Sequence, residues 1–499
     1  MRIAVLSTLA SGGAAIAAER ITLALTAAGH DCSFFTVESS GKLRMISLAD
    51  NAAHADSVFW VPALFRRWTT LTSPEALRDG GTELFSDQTI GLHAWNPFPK
   101  AIHEAEIIHL HWMAGMLFSP SLLAACRGKK IVWTLHDMNA ISGGCHYHIS
   151  CRQFETGCSL CPLLRDSGPD DASARCFRLK QALYSVLAPT IVTPSEWLAA
   201  EVQTSALLGQ RSLYTIPNCI DTTVFRPGGR EEFRRRLGIA ADTFVIIVGA
   251  EYLGNPRKNT RMISEALELL ARRGDAMCIE ILTFGGGEFP HAAFPVHALG
   301  HLEDDAALAE AYSAADILVH TTLQDNLPNT LCEAQCCGTP ILAFDVGGCA
   351  EAMLPGETGF IVKEKTVEAL AGILQNIYDR RMELAPMREA ARIFAVERFD
   401  PGKTAAVYTE VFANTPPSPS LTMDSNLFME LASNQIASLA ALFRDVQEEQ
   451  ERRFVEMEQY VTSLNDRIAS VESHLAQWRQ NLRHPLRYLF RKLRNRSQR

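Results

Sequence analysis

The sequence predicts an α/β protein of two doubly wound domains that face each other across a cleft, followed by a C-terminal α-helical coiled-coil extension. Short apolar, β-branched runs alternate with helical patterns, which is typical of parallel sheets covered by helices. The alternation occurs in two series, separated by a connector rich in Pro and Gly at residues 216–229. Beyond residue 415 a heptad pattern replaces it. A chain of 499 residues is long enough for this arrangement.

The first series predicts a Rossmann-like domain over residues 1–210. Its first strand is followed by Ser11, Gly12 and Gly13 and then by a helical pattern. This turn lacks the G-x-G-x-x-G spacing of dinucleotide-binding proteins. The predicted strands of this domain are residues 2–8, 29–36, 107–111, 130–135 and 190–193.

The second series predicts another Rossmann-like domain over residues 211–395, and a helix over 396–414 is expected to cross back to the first domain. Two such domains leave a cleft at the carboxyl ends of both sheets, where ligands bind. The predicted strands are residues 244–249, 278–283, 316–320 and 341–344.

The C-terminal extension divides into a linker at 415–425 and a coiled coil at 426–484. Spacings of four and three residues between apolar side chains indicate a coiled coil that makes a homo-oligomer, although one amphipathic helix packed on the body is the alternative. The predicted seam consists of Met457, Val461, Leu464, Ile468, Val471, Leu475, Trp478 and Leu482.

The last segment, residues 485–499, combines an apolar helical stripe with many basic side chains. This composition suits an anionic membrane surface, and a solvated, frayed tail is the alternative. The whole chain has a net charge of −9 although this tail is basic, so the rest of the chain is strongly acidic. An acidic body argues against nucleic acid as a partner. We expect the first twenty residues to form a strand, a glycine turn and a helix rather than a secretory signal, and thirteen cysteines then indicate a reducing compartment. We therefore expect a cytoplasmic protein, peripheral at the inner face of the cytoplasmic membrane.

Two carboxylates mark the candidate site in residues 324–338. Asp325 and Glu333 stand eight positions apart, and a helix is predicted to begin between them, near Pro328. Carboxylates accept hydrogen bonds from paired hydroxyls, and a helix N-terminus offers free N–H groups to a diphosphate. The pattern predicts a site for a sugar nucleotide.

Four cysteines form a second candidate site in an insert at residues 143–165. Their spacing is C-x5-C-x6-C-x2-C, and only the last pair has the spacing of a zinc knuckle. Four thiols in a reducing compartment favour a closed structural zinc site, with buried thiols or an iron–sulfur cluster as alternatives. The expected ligands are Cys145, Cys151, Cys158 and Cys161.

Several motifs together resemble family 4 of the retaining glycosyltransferases, whose fold is GT-B. The likeness runs in matching order from residue 1 to about 413, and the segment 136–162 resembles the bacterial exopolysaccharide branch related to colanic acid synthesis. The remaining motifs are IPNCIDTTVFRP (216–227), residues 296–322, QDNLPNTLCEAQCCGTP (324–340) and GGCAEAMLPGETGF (347–360).

The resemblance implies roles in the second domain. Glu333 matches the second Glu of the family's Glu-x7-Glu motif, which holds the nucleotide ribose. Asp325 replaces the first Glu, which holds hydroxyls of the donor sugar, so its shorter side chain bears on the choice of sugar. Arg257 and Lys258 match the basic diphosphate clamp. Asn326 and Leu327 are assigned to the same donor site as neighbours of Asp325.

The resemblance also implies roles in the first domain. Gly12 and Gly13 match the glycine-rich loop that approaches the phosphates and the acceptor. His136 matches a histidine that faces the donor sugar, with Asp137 expected to orient it and a packed, satisfied histidine as the alternative. His111 is the weaker candidate. Ser195 matches a family serine, and we expect it to cap a helix.

The implied reaction is transfer of a hexosyl or deoxyhexosyl unit, with retention, from a nucleotide sugar to a glycan or lipid-linked glycan in bacterial polysaccharide biosynthesis. His136, Asp325 and Lys258 are the expected catalytic residues, and no cofactor is required because the two cations stabilise the departing diphosphate. Two alternatives stay open: a GT-B sugar-nucleotide epimerase, and a non-catalytic scaffold whose coiled coil is the working part.

Overall fold

A computed structural model of the chain describes residues 1–9, 11–37, 43–46, 53–54, 85–86, 99–114, 117, 120–148, 150–272, 277–290, 293–302 and 304–419. All of these residues lie in one compact unit, Met1–Gln435. The predicted coiled coil and basic tail lie outside the described residues. Among the described residues, no helix is long and apolar enough to cross a membrane.

The first half of the chain forms an eight-stranded sheet in the order β4-β3-β2-β1-β5-β6-β7-β8. Its central strands are parallel, and β3 pairs antiparallel with both β2 and β4. The strands are β1 (Arg2–Leu6), β2 (Asp31–Val37), β3 (Leu43–Ile46), β4 (Ala53–His54), β5 (Ile107–Leu110), β6 (Lys130–Thr134), β7 (Thr190–Thr193) and β8 (Leu213–Thr215).

Helices pack against buried apolar residues on both faces of this sheet. Strands β5 and β7 are buried along their whole length, as expected for central parallel strands. The helices of this half are α1 (Gly13–Ala27), α2 (Lys100–Glu104), α3 (Pro120–Cys126), α4 (Ala172–Leu187) and α5 (Glu196–Thr204).

The second half forms a six-stranded sheet, parallel throughout, in the order β11-β10-β9-β12-β13-β14. The strands are β9 (Phe244–Tyr252), β10 (Ile279–Gly286), β11 (Val296–Ala298), β12 (Ile317–His320), β13 (Ile341–Phe344) and β14 (Gly359–Val362). The helices are α6 (Arg230–Leu237), α7 (Thr260–Arg272), α8 (Asp305–Ala314), α9 (Asn329–Cys336), α10 (Val367–Asp379), α11 (Leu384–Arg398) and α12 (Pro401–Asn414).

Helix α12 packs on the first sheet although it follows the second in the chain. Asp400 caps it by accepting a hydrogen bond from Lys403 N at 2.7 Å, and Pro401 stands at its start. The Tyr408 hydroxyl lies 2.9 Å from Thr134 Oγ1 on β6. Lys130 donates to the carbonyls of Phe412 and Ala413, at the C-terminal end of the helix.

Two predicted boundaries differ from the structure. Strand β8 belongs to the first sheet but lies beyond residue 210, where the first domain was expected to end. It is only three residues long and partly exposed, and a stretch this short gives too little periodic pattern to predict a strand. The predicted linker also starts with anchored residues, because Ser418 is buried and donates to Cys126 O at 2.7 Å.

Candidate active site

The candidate residues of both halves meet at the carboxyl ends of the two parallel sheets. Gly12 follows β1, and His136 follows β6. Arg257 and Lys258 follow β9, and Asp325 follows β12. The sequence folds this way because each side chain stands on a loop just after a buried strand, and such loops line the ligand cleft of parallel sheets.

Asp325 lies at the centre of an ion cluster. Its Oδ2 accepts hydrogen bonds from Lys258 Nζ at 2.6 Å and from Arg257 Nη1 at 3.0 Å. Its Oδ1 accepts from Tyr147 Oη and from Asn326 N, each at 3.0 Å. Four donors therefore hold one carboxylate that is 8% exposed.

The electrostatics of this cluster favour a bound anion. Burial opposes ionisation of Asp325, but Lys258 and Arg257 hold its pKa well below the usual range. Burial also lowers the pKa of the neighbouring His320 to about 3, so this imidazole is neutral at pH 7. Two cations facing one carboxylate leave an excess positive charge, which a diphosphate can neutralise.

Glu333 is held from both halves of the molecule. Its Oε1 accepts from Arg20 Nη1 of α1 at 2.7 Å, and its Oε2 accepts from Tyr312 Oη of α8 at 3.0 Å. Arg20 also contacts Asp305 Oδ2 at 3.3 Å, and its guanidinium lies 5.0 Å from the centre of the Phe225 ring. Each carboxylate oxygen has two lone pairs, so Glu333 retains the capacity to accept a ribose hydroxyl.

Asn326 and Leu327 connect the second sheet to the first. Asn326 Nδ2 donates to His136 O at 3.1 Å, and Asn326 Oδ1 accepts from the Ser195 hydroxyl. Ser195 Oγ also accepts from Leu198 N at 3.1 Å, which confirms that it caps α5. Leu327 is buried, and its carbonyl accepts from Asn218 Nδ2 at 3.3 Å.

His136 is paired with the second histidine candidate. His136 Nε2 lies 2.9 Å from His111 Nδ1, and the two rings stack with centroids 5.2 Å apart. Burial lowers the pKa of His136 to about 4 against the opposing charge of Asp137, and burial holds the pKa of His111 well below its usual value. Both rings are therefore neutral at pH 7.

Asp137 does not orient His136 as expected, because its carboxylate is held by Trp112, Asn139 and His146, the last of which belongs to the cysteine-rich insert. Its Oδ2 accepts from His146 Nδ1 at 2.6 Å and from Trp112 Nε1 at 3.2 Å. Its Oδ1 accepts from Asn139 N at 2.8 Å. The neighbouring position in sequence indicated an orienting contact, but these hydrogen bonds of the carboxylate go to other residues.

Gly12 and Gly13 bring the first loop against the second domain. Gly12 has φ 87°, and a Cβ there would lie 3.2 Å from Glu251 Oε2 at the end of β9. Gly13 O accepts from Asn329 Nδ2 of α9 at 3.0 Å. The predicted glycine loop thus lies at the cleft. Gly12 tolerates the close approach of Glu251 because glycine has no side chain.

The four cysteines of the insert line one cavity of about 150 Å³, together with His148. Burial raises the pKa of Cys145 and of Cys158 to about 12, so these thiols are protonated as they stand. In the part of the chain that the structure describes, no three His, Cys, Asp or Glu side chains are placed to hold a metal ion. The expected ligands share a cavity without coordination geometry.

Sequence reasoning missed three residues that complete the cleft: Tyr147, Arg20 and Tyr312. Tyr147 stands inside the insert, where the cysteine spacing is the stronger pattern. Arg20 is the one basic residue of α1, whose other residues are mostly apolar, and a buried arginine needs an acidic partner, so its position was a usable signal. Nothing in the sequence marked Tyr312 as a site residue, because a tyrosine in an alanine-rich helix commonly packs in a hydrophobic core.

A cleft between two parallel-sheet α/β domains, with carboxylates and cations at the strand ends, is the architecture of GT-B glycosyltransferases. Two family profiles match this chain: "Glycosyltransferase Family 4" over residues 11–224, and "Glycosyl transferases group 1" over residues 243–380. The chain belongs to glycosyltransferase family 4. The predicted GT-B fold of the two domains and the glycosyltransferase class are thereby confirmed.

Similar proteins agree with this assignment. A D-inositol 3-phosphate glycosyltransferase of Arthrobacter sp. (strain FB24) is 24% identical over 416 residues, which are 81% of this chain and 90% of that protein. WcaC of Escherichia coli (strain K12), whose name assigns it to colanic acid biosynthesis, is 27% identical over 54% of this chain and 65% of its own length. The sucrose-phosphate synthase of Thermosynechococcus elongatus shares the fold with a TM-score of 0.57 at 18% identity, covering 82% of this chain and 99% of its own.

Proposed function

We propose that this protein is a retaining glycosyltransferase that transfers a hexosyl or deoxyhexosyl unit from a nucleotide sugar to a glycan or lipid-linked glycan in bacterial polysaccharide biosynthesis. The observation that supports this most is the cluster of Arg257, Lys258 and Asp325, which lies beside His136 of the other domain. It combines an excess positive charge for a diphosphate with a carboxylate that suits sugar hydroxyls.

The donor would bind across the carboxyl ends of both sheets. Glu333 accepts hydrogen bonds from the ribose, and Arg257 and Lys258 bind the diphosphate. The loop at Gly12 and Gly13 closes over the phosphates from the first domain. Asp325 receives the sugar, and Asn326 and Leu327 hold the loop that carries it.

The reaction needs no protein nucleophile. The bond between the anomeric carbon and the phosphate oxygen breaks, and the acceptor hydroxyl forms its bond to the same face of that carbon. The hydroxyl proton passes to the leaving phosphate, whose charge Lys258 and Arg257 stabilise. His136 is neutral at pH 7 and bound through Nε2 to His111, which leaves Nδ1 as the ring atom that meets the substrate.

A panel of nucleotide sugars tests the donor. A donor that binds the native protein raises its melting temperature by mass action, and the same donor should release nucleoside diphosphate only when an acceptor glycan is added. The anomeric configuration of the product, read by NMR, tests retention. Release without an acceptor would instead indicate an epimerase-like reaction, and absence of any donor effect would favour the scaffold alternative.

His136→Ala tests the catalytic role of the histidine. We expect transfer to fall at least a hundredfold, as for loss of a proton-transfer or hydrogen-bonding group, with nucleoside diphosphate affinity changed less than about twofold. The exposed His103→Ala serves as the control. An equal loss of affinity and transfer would make His136 a structural residue.

We further propose that Cys145, Cys151, Cys158 and Cys161 bind one structural zinc. The donor set suits tetrahedral zinc, which would require the thiols to deprotonate and turn towards the centre of their shared cavity. About one equivalent of zinc should survive desalting and disappear in Cys158→Ser/Cys161→Ser. The exposed Cys278→Ser should retain it. A stable, metal-free wild type would contradict this proposal.

The C-terminal extension is proposed to make a homo-oligomer through residues 426–484 and to attach the enzyme, through 485–499, to the anionic inner face of the cytoplasmic membrane. Because Ser418 is anchored on the first domain, truncation is best made after residue 419. The 1–419 protein should keep transferase activity with a smaller oligomer and less vesicle binding, and 1–484 should lose only vesicle binding. Unchanged size and vesicle binding in both would contradict these roles.

A further inference from the structure

We propose that Tyr147 is a positioning residue that determines which donor sugar the enzyme accepts, by fixing the carboxylate of Asp325. This inference rests on the proposed transfer from a nucleotide sugar. The tyrosine belongs to the cysteine-rich insert, so the insert acts on the donor subsite through this side chain.

The contact between Tyr147 and Asp325 joins two buried groups. Tyr147 is 6% exposed, and its hydroxyl donates to Asp325 Oδ1 at 3.0 Å. A tyrosine phenol ordinarily titrates near pH 10, so this hydroxyl is a hydrogen-bond donor at neutral pH. With Oδ2 taken by Lys258 and Arg257, the phenol and the backbone N–H of Asn326 set the direction in which Oδ1 faces.

Tyr147 also supports one of the two cations. The guanidinium of Arg257 lies 4.9 Å from the centre of the Tyr147 ring, within the range of a cation–π contact. Trp197 also restricts the Tyr147 ring, because the two rings stack with their centroids 6.3 Å apart. The tyrosine therefore holds both partners of the ion pair, and a change at its ring would move the carboxylate and the guanidinium together.

The residues on either side of Tyr147 hold it rigidly. His146 binds Asp137 through Nδ1 and lies 2.8 Å from Ser86 Oγ through Nε2. His148 Nε2 lies 3.3 Å from Glu201 Oε1 on α5. A side chain anchored on both flanks can position a neighbouring group to within the narrow tolerance that sugar discrimination requires.

Side-chain length explains why this phenol matters here. The side chain of an aspartate is one methylene shorter than that of a glutamate, and the Tyr147 hydroxyl lies in the space that this leaves. The Tyr147 hydroxyl already contacts Oδ1, so an additional methylene of about 1.5 Å would drive the carboxylate into the phenol. Asp325 and Tyr147 together therefore fill the space that a longer acid would need.

This arrangement predicts sharp discrimination between sugars. The four donors occupy the lone pairs of the Asp325 carboxylate, so a sugar hydroxyl binds only when the diphosphate draws Lys258 or Arg257 away from Oδ2. Tyr147 and Asn326 N keep Oδ1 in place meanwhile and so set the direction from which the hydroxyl is accepted. A sugar whose hydroxyl lies elsewhere would leave a buried polar group unpaired, and sites of this kind reject such analogues strongly. Loosening Asp325 should therefore reduce selectivity as well as rate.

Four variants of the full-length protein test the inference: Tyr147→Phe, Tyr147→Ala, Asp325→Glu and the double variant Tyr147→Ala/Asp325→Glu. Tyr147→Phe should lower kcat/KM about tenfold for the best donor and less for nucleotide sugars that differ from it in one hydroxyl. The ratio of kcat/KM between the best donor and these analogues should therefore become smaller. Nucleoside diphosphate affinity should change less than about twofold. Tyr184→Phe, which removes another buried phenol hydroxyl, one that donates to Ala140 O and not to a residue of the ion cluster, is the matched control.

The double variant provides the decisive comparison. Asp325→Glu alone should lose at least a hundredfold in kcat/KM, and Tyr147→Ala should restore at least tenfold of that loss by making room for the longer acid. Additive losses, or an unchanged donor ranking in an active Tyr147→Phe enzyme, would overturn the role of Tyr147 alone. A wild type that binds no nucleoside diphosphate and no nucleotide sugar would overturn the proposed function and this inference together.

Discussion

At the scale of single residues, buried charges join the two halves of the molecule. Glu333 lies on α9 of the second domain, yet its strongest partner is Arg20 of the first, 313 positions away in the chain. Both side chains are nearly excluded from solvent. A buried ion pair contributes little net stability while intact, but removal of one partner leaves the other charge uncompensated.

Arg20→Ala should therefore lower the free energy of unfolding by roughly 3 kcal/mol, because Glu333 and Asp305 lose their shared cation. Urea unfolding monitored by circular dichroism measures the change. Arg2→Ala is the matched control, because the Arg2–Glu106 pair is more than half exposed and should contribute less than about 1 kcal/mol. Equal effects of the two substitutions would show that the cross-domain pair is not buried in solution.

At the scale of elements, the loop after β13 supports the Asp325 loop by backbone contact. Gly348 N donates to Asp325 O at 3.1 Å, and Gly347 adopts φ 54° directly against the same carbonyl. A Cβ on Gly347 would lie 1.7 Å from Asp325 O, closer than any side chain tolerates. The glycine is required by position as well as by backbone angle.

Gly347→Ala should displace the Asp325 loop, with a loss of several kcal/mol in unfolding free energy and loss of donor-induced thermal stabilisation. Gly372→Ala offers a contrasting control within the same domain. Gly372 lies inside α10 with open space around its Cβ position, so alanine should stabilise the protein by about 0.5–1 kcal/mol. A Gly347→Ala protein that binds donor normally would refute the coupling between these loops.

At the scale of the whole molecule, buried neutral histidines concentrate beside the cleft. Burial lowers the pKa of His109 and His320 to about 3 and that of His136 to about 4, and it holds the pKa of His111 well below its usual value. In the unfolded chain each histidine protonates near pH 6.5. The folded state therefore binds fewer protons than the unfolded state between about pH 6.5 and 4.

Stability should accordingly be fully present above pH 6.5 and fall as the pH is lowered towards 4. Each of these four histidines contributes a slope of up to roughly 1.4 kcal/mol per pH unit. Asp325 adds its own loss only below about pH 4, because its pKa is depressed from an already low value. Denaturant unfolding at intervals between pH 7 and 5 measures the slope.

His320→Asn should reduce that slope by the share of one proton, since an amide does not titrate in this range. A wild-type unfolding free energy that is constant from pH 7 to pH 5 would show that the four imidazoles are accessible to protons in the folded state. Such a result would also remove the argument that His136 is neutral when the donor binds.

The sequence by itself determined the two-domain α/β fold, most of its central strands and the helix start at Asn329, because these depend on local apolar runs, β-branched residues and helix signals. Motif order also determined the family. The sequence did not reveal the short strand β8 or the hydrogen-bond partners of Asp137, since neither produces a periodic pattern. Only the tertiary structure decided that Arg20 meets Glu333 and that Tyr147 meets Asp325 from 178 positions away. Such pairs arise where loops from separate domains converge, and their geometry follows from packing over the whole chain.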